Sequence, residues 1–296
     1  MRDEIRKIQE LMESAEYVTD APIATSVHLA MTLHKPLLIE GHAGVGKTEV
    51  AKVMARMLGT NLIRLQCYEG LDASTALYEW NYQKQLLHIK LTEGQSRSAD
   101  EKEHEIFSEP FLLRRPLLQA ISQDDQSAVL LVDEVDRSDE EFEAFMLEIF
   151  AEWQVTIPEV GTIRAKHPPH VILTSNRTRE LSDALRRRCL YLWIDYPGFE
   201  KEVRIVERKV PGINVRLARE IAKFMETLRT VRLSKVPGVA ETLDWANALA
   251  ALHADHLEEE LIAETLGCIL KDADDIRRFR AEVAKGGLAP FLSVQS

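Results

Sequence analysis

The chain has 296 residues, 45% of them hydrophobic and 29% charged, and a formal net charge of -11. That length leaves room for two ordinary domains with a sizeable core, and the acidic balance argues against a general affinity for nucleic acid, whose phosphates it would repel. No apolar run is long enough to span a bilayer, so no stable membrane insertion is expected, and the charged start "MRDEIRKIQELM" lacks the apolar core of a signal peptide, which points to a cytoplasmic protein.

The first strong element is the apolar run Pro36-Leu37-Leu38-Ile39-Glu40, which reads as a buried strand closed by Gly41. After the loop "GHAGVGKTEV", Val50, Val53, Met54, Met57 and Leu58 recur at helical spacing, and Gly59 supplies a stop. A glycine-rich loop between a strand and a helix is the setting in which such a motif cradles phosphate. Gly41, Gly44 and Gly46 let the chain curl with its N–H groups inward, and the helix N-terminus adds partial positive charge. The cradle is the stretch Gly41, His42, Ala43, Gly44, Val45, Gly46, Lys47, Thr48 and Glu49. Lys47 has the reach for β- and γ-phosphates, and the Thr48 hydroxyl can ligate Mg²⁺. An ordinary glycine-rich turn is the plainer alternative.

Further strands are expected at Asn61 to Cys67, Ala128 to Glu134, His170 to Asn176 and Leu190 to Tyr196, several of them separated by helical segments. That is the pattern of a parallel sheet covered by helices, an α/β fold. Between the first two of these, Tyr78, Trp80 and Tyr82 alternate, so an extended segment would align them on one face; they either pack that segment onto its own domain, as aromatics more often do, or grip a partner, with Trp80 expected to be at least partly exposed. The polar stretch from Thr92 to Glu105 reads as an exposed excursion.

The strand ending in "VLLVDE" delivers Asp133 and Glu134 at its carboxyl end, where open sheets place their ligands. Asp133 can hold Mg²⁺ through its water shell, and Glu134 is placed to take a proton from an attacking water. Two solvated carboxylates at a strand end are the alternative, which the upstream phosphate loop disfavours. The neighbouring Asp136 and Asp139 to Glu141 read as a solvated, acidic helix start. Asn176, at the end of the next strand, carries an amide that could reach a γ-phosphate or the attacking water, but its position alone favours a turn-forming residue. Arg186, Arg187 and Arg188 then precede the last strand; they suit a solvated basic helix end, or an arginine supplied in trans to a neighbouring subunit's γ-phosphate.

Pro197-Gly198 breaks the chain, and beyond it the periodicity is helical, with stripes Leu217, Ile221, Phe224, Met225, Leu228 and Leu243, Trp245, Leu249, Leu252. The expected division is an α/β nucleotide-binding domain over 1–197 and a helical domain over 198–296. Cys67, Cys189 and Cys268 lie far apart without metal-type spacing and read as reduced structural thiols.

Together these segments resemble an AAA+ ATPase of the MoxR family, with the closest likeness to its CoxD-like branch, associated with maturation of molybdenum-containing carbon monoxide dehydrogenases. "GHAGVGKT" is similar to Walker A and "VLLVDE" to Walker B. "LIRLQCYEGLDASTALYEWNYQKQLLHI", "LSDALRRRCLYLWIDYPGFEKEVRIV" and "VPGVAETLDWANAL" carry the branch-level likeness. The resemblance implies a five-stranded parallel sheet of order 5-1-4-3-2 and a helical lid. It also implies a helix-2 insertion over about 70–110 and a β-hairpin over about 152–165. It makes ATP and Mg²⁺ the cofactors, Asn176 the sensor 1 residue, and Arg188 the arginine finger, with Arg187 as its fallback. It implies a homo-oligomeric ring, usually a hexamer, a von Willebrand A-domain partner, and a metalloenzyme client rather than nucleic acid. One departure stands out: the stretch matching the lid's sensor 2 arginine, "VAETLDWAN", has neither Arg nor Lys, with Arg232 and Lys235 just upstream as candidate substitutes. Two other readings remain beside an ATP-driven remodeller: a nucleotide-gated binding module with little turnover, and a DNA-associated motor of the same superfamily.

Overall fold

The computed structural model describes residues 2–93 and 98–292. The chain divides into two compact units. The first comprises Ala21–Glu40 and Ala51–Leu192 with a few N-terminal residues; the second comprises Arg6–Asp20, Gly41–Val50 and the chain from Trp193 onward.

The strands in chain order are β1 (Leu37–Gly41), β2 (Leu62–Gln66), β3 (Tyr78–Trp80), β4 (Leu112–Arg114), β5 (Val129–Asp133), β6 (Gln154–Ile157), β7 (Gly161–Arg164), β8 (His170–Ser175) and β9 (Leu190–Ile194). Five of them form one sheet in the order β2-β5-β8-β1-β9, the expected 5-1-4-3-2 order read from the other edge. β2 pairs parallel with β5, β5 with β8, and β8 with β1. Burial explains the order. β1 and β5 are buried at every position, as strands covered on both faces must be. The edge strand β2 instead alternates, with Ile63 and Leu65 inside and Arg64 outside, and β9 buries Leu192 and Ile194 while exposing Tyr191 and Trp193. The core of the first unit joins Leu38, Leu130, Val132 and Leu173 to Leu117, Leu118 and Met146.

The segment after β2 departs from its expectation. β3 and β4 form a short antiparallel ribbon, with Tyr78 opposite Arg114 and Trp80 opposite Leu112. Trp80 is buried at 8% exposure, its ring edge-on to Phe107 at 5.3 Å, so it is a core residue and not a partly exposed one. The alternation stops there because Asn81 caps the helix Tyr82–Leu91, accepting from the Lys84 amide at 3.0 Å, and Tyr82 swings out to 60% exposure. The excursion read at Thr92 to Glu105 falls partly outside the described residues, at 94–97; beyond it, Ser98 and Glu101 form a capping box that starts the helix Ala99–Ile106. β6 and β7 pair as the antiparallel hairpin expected within 152–165.

The second unit's C-terminal part is helical: Phe199–Lys209, Val215–Leu228, Val239–Ala251, Glu259–Thr265 and Ala273–Gly286. Leu217, Ile221, Phe224, Met225 and Leu228 are all buried, and Phe224 meets Trp245, Phe279 and Phe291 at ring distances of 4.9, 5.6 and 5.5 Å. The other stripe is corrected. Its buried face is Val239, Thr242, Trp245, Ala246 and Leu249, while Leu252 is 57% exposed. That residue lies past the helix end, where His253 turns the chain at φ 55°. Among the described residues no helix is long and apolar enough to cross a membrane.

Candidate active site

The glycine loop is shaped by its main chain. Gly44 and Gly46 sit at φ +74° and +93°, in the left-handed region that side chains disfavour. A Cβ on Gly41 would lie 2.1 Å from the Ile194 carbonyl oxygen, so only glycine fits there. Lys47 opens the helix Lys47–Leu58, is buried to 6% exposure, and donates from Nζ to the Gly41 and His42 carbonyl oxygens at 2.8 and 2.6 Å. His42 stacks on Tyr196, ring centroids 4.7 Å apart and 8° from parallel. Loop curvature and a buried ammonium at the helix start fit the phosphates of a nucleotide.

A separate cluster forms where β2, β5 and β8 end. Asp133 is 3% exposed. Its Oδ2 accepts from Arg64 Nε and Nη2 at 3.0 and 2.5 Å, and its Oδ1 accepts from the Thr174 hydroxyl at 2.5 Å. The same hydroxyl accepts from the Glu134 amide at 2.9 Å, so one side chain fixes both acidic residues. Glu134 stands at φ 55°, a conformation that costs a non-glycine residue on the order of 1–3 kcal/mol and recurs at functional positions. Its carboxylate is held from three sides: Asn176 Nδ2 at 3.2 Å, Gln66 Nε2 at 3.1 Å and Arg137 Nε at 3.0 Å. A carboxylate fixed by donors in this way is presented in one orientation, as a base that aligns a water requires.

The fold thus brings Asn176 to Glu134, which its position in the sequence did not disclose. It also recruits Arg64, Gln66, Thr174 and Arg137, which sequence reasoning passed over. The one signal for Gln66 was register: in parallel neighbours ending together, it lies level with Asp133. Asp136 is a correction. It is 2% exposed and accepts from the Asn176 amide at 3.2 Å and from the Thr178 amide and hydroxyl at 2.7 Å each. The turn Val135–Arg137 directs it inward, where three donors make burial of its charge tolerable.

The arginine run divides. Arg186 leans toward Glu40, itself 1% exposed, at 3.4 Å, alongside the Tyr191 hydroxyl at 3.1 Å. Arg187 and Arg188 are exposed, with Arg188 Nη1 3.5 Å from the Leu147 carbonyl oxygen. Burial pushes the Cys67 and Cys189 thiols up to about 12, so neither is a ready nucleophile. No group of three or more His, Cys, Asp or Glu suited to a metal ion occurs among the described residues.

Comparison with known proteins follows the same lines. The family model described as AAA domain, dynein-related subfamily, matches residues 36–189, just over half of the chain. The chain is 23% identical over 279 residues to the gas vesicle ATPase GvpN of Haloferax mediterranei, covering 88% of this chain and 76% of that protein. It is 22% identical over 240 residues to an uncharacterised protein of Staphylococcus aureus, covering 79% of this chain and 82% of the other. Among solved structures, a mutant of RuvB from Thermotoga maritima superposes with a TM-score of 0.51 at 16% identity, covering 96% of this chain and 76% of that one. This last likeness is one of fold.

Proposed function

The chain belongs to the AAA domain family, in its dynein-related subfamily, and on that premise we propose that it is a MoxR-type AAA+ ATPase. In this reading it hydrolyses ATP in an oligomeric ring, as a hexamer, to remodel or activate a partner protein. The single observation that carries the hydrolytic part is Glu134, held by Asn176, Gln66 and Arg137 beside the buried Asp133. A module that only bound nucleotide would gain nothing from a carboxylate fixed so closely. The relative GvpN, named an ATPase, supports the same reading.

The roles follow from the chemistry of each group. The loop Gly41 to Glu49 binds the phosphates through its backbone, and Lys47 exchanges its carbonyl partners for β- and γ-phosphate oxygens. Thr48 and Asp133 are the residues that would hold Mg²⁺, which when bound screens the charge on those oxygens. Glu134 orients the attacking water and takes its proton, and Asn176 orients Glu134. Arg188, with Arg187 as the fallback, supplies positive charge to the γ-phosphate of a neighbouring subunit; the tie between Arg186 and Glu40 argues against Arg186. In this reading the nucleotide-binding domain runs over 1–197, and the helical part over 198–296 acts as its lid. The CoxD-like resemblance proposes the client: a molybdenum hydroxylase such as carbon monoxide dehydrogenase, matured in the cytoplasm with a von Willebrand A-domain partner.

The test is Mg²⁺-dependent ATP turnover, measured with and without DNA. Turnover that does not need DNA is expected. Arg188→Ala should lose about a thousandfold in turnover, and mixing it with Glu134→Gln should recover part of it, because a mixed ring pairs an intact Glu134 with an intact Arg188. Absence of turnover would leave a nucleotide-gated binding module, turnover that requires DNA would favour a DNA-associated motor, and mixtures that never recover would sink the shared site.

A further inference from the structure

The stretch that lacks a sensor arginine meets the glycine loop through its main chain. The Val239 and Ala240 amides, the first two of the helix Val239–Ala251, donate to the Gly44 carbonyl oxygen at 2.9 and 3.3 Å. The opening N–H groups of a helix have no acceptor within it, so the loop serves as part of this helix's cap. No side chain intervenes. A Cβ on Gly238 would lie 2.7 Å from the Ala43 oxygen and 2.8 Å from the Gly44 Cα, and a Cβ on Gly44 would lie 3.2 Å from the Gly238 Cα. The approach therefore needs glycine on both sides. In place of a capping side chain at Gly238, Glu241 reaches back and accepts from the Gly238 amide at 2.8 Å.

The helix start is also anchored from behind. Arg229 donates from Nε to the Pro237 oxygen at 3.0 Å, and its other two nitrogens grip the fully buried Glu202 at 2.6 and 2.7 Å. Thr242, on the helix itself, donates to the same carboxylate at 2.7 Å. The Arg229 guanidinium lies 4.9 Å over the Tyr196 ring, and Tyr196 stacks on His42 of the loop. Arg229 thus supports the loop at two points: His42 by a column of rings, and Gly44 through the helix start. Arg232 and Lys235 are exposed and take no part in this arrangement.

We infer that Gly238 is a positioning residue: it lets the first turn of the helix Val239–Ala251 read the phosphate loop through the main chain at Gly44. The inference rests on the reading of the loop as an ATP site. Phosphate binding that reorients the Gly44 peptide must shift the Val239 and Ala240 bonds, and by linkage those bonds bias the loop's affinity for phosphate.

The test compares Gly238→Ala, Val239→Pro and the control Gly267→Ala, whose added methyl meets nothing within 4 Å. Val239→Pro replaces one donor to Gly44 by a ring methylene that presses on the Gly44 oxygen, so it breaks the contact, while the helix is preserved because proline is favoured at the first helical position and Gly238 is already extended at φ -90° and ψ -169°. Two quantities are read: amide exchange of residues 43–48 in nucleotide-free protein, and ADP affinity by calorimetry. Both test variants force the helix start and Gly44 apart, so the loop should exchange at least about tenfold faster and bind ADP at least about tenfold more weakly, a lost hydrogen bond setting the lower bound; Gly267→Ala should match wild type. If Gly238→Ala does not fold, Val239→Pro decides. Loop exchange and ADP affinity within twofold of wild type in Val239→Pro would overturn the inference. Wild-type protein that binds no ADP would overturn the ATP reading and the coupling with it, while the exchange experiment, run without nucleotide, still decides whether the contact holds the loop.

Discussion

The glycine loop and the cluster at the ends of β5 and β8 both manage charge out of water, by opposite means. In the loop the main chain acts: glycines at 41, 44 and 46 give up side chains so that carbonyls and amides can approach one another, and Lys47 is the ion they hold. In the cluster, side chains from neighbouring strands act: Arg64 and Thr174 on Asp133, and Gln66 and Asn176 on Glu134. The difference teaches where each is vulnerable. A loop built of backbone fails by steric intrusion, and fails whole. A network built of side chains loses function one bond at a time, with the fold surviving.

The largest effect should come from Gly41→Ala. A methyl 2.1 Å from the Ile194 oxygen presses on backbone, which cannot rotate away, and a loss of about 4 kcal/mol or outright misfolding is expected in denaturant titration. Near-normal stability would mean that the loop is more compliant than its geometry implies.

Glu134→Gln should come next, with ATP turnover down about a hundredfold or more, since an amide cannot take the water's proton, and with nucleotide affinity and melting temperature near wild type. Turnover within a few-fold of wild type would remove Glu134 as the base and erase the functional side of the comparison.

Thr174→Val keeps the shape and removes the hydroxyl that serves both Asp133 and the Glu134 amide. A stability loss of about 2 kcal/mol is expected, because these buried groups each lose a bond, with secondary structure unchanged by circular dichroism. An unchanged denaturation midpoint would show that the cluster does not depend on this hydroxyl.

Gln66→Ala should be the mildest. It removes one of three donors on Glu134, so turnover should fall about three- to tenfold without a measurable change in nucleotide affinity. A loss as large as that of Glu134→Gln would make Gln66 a partner in the chemistry and not a support.

What the sequence determined by itself is local. An apolar run ending in a glycine loop before helical spacing, a run ending in Asp133-Glu134, and the buried stripe from Leu217 to Leu228 are written in neighbouring residues, because strand and helix periodicities depend on residues within a few positions of one another. What only the tertiary structure decided depends on residues distant in the chain. Arg64 meets Asp133 and Asn176 meets Glu134 because parallel strands end level. Asp136 is buried because Thr178 and the Asn176 amide stand ready to receive it. Trp80 packs inward because Phe107 lies beside it, and Gly238 bears on Gly44 across almost two hundred residues. Composition cannot disclose such pairings, since the same asparagine, aspartate or glycine is an ordinary turn residue wherever the fold brings nothing to it.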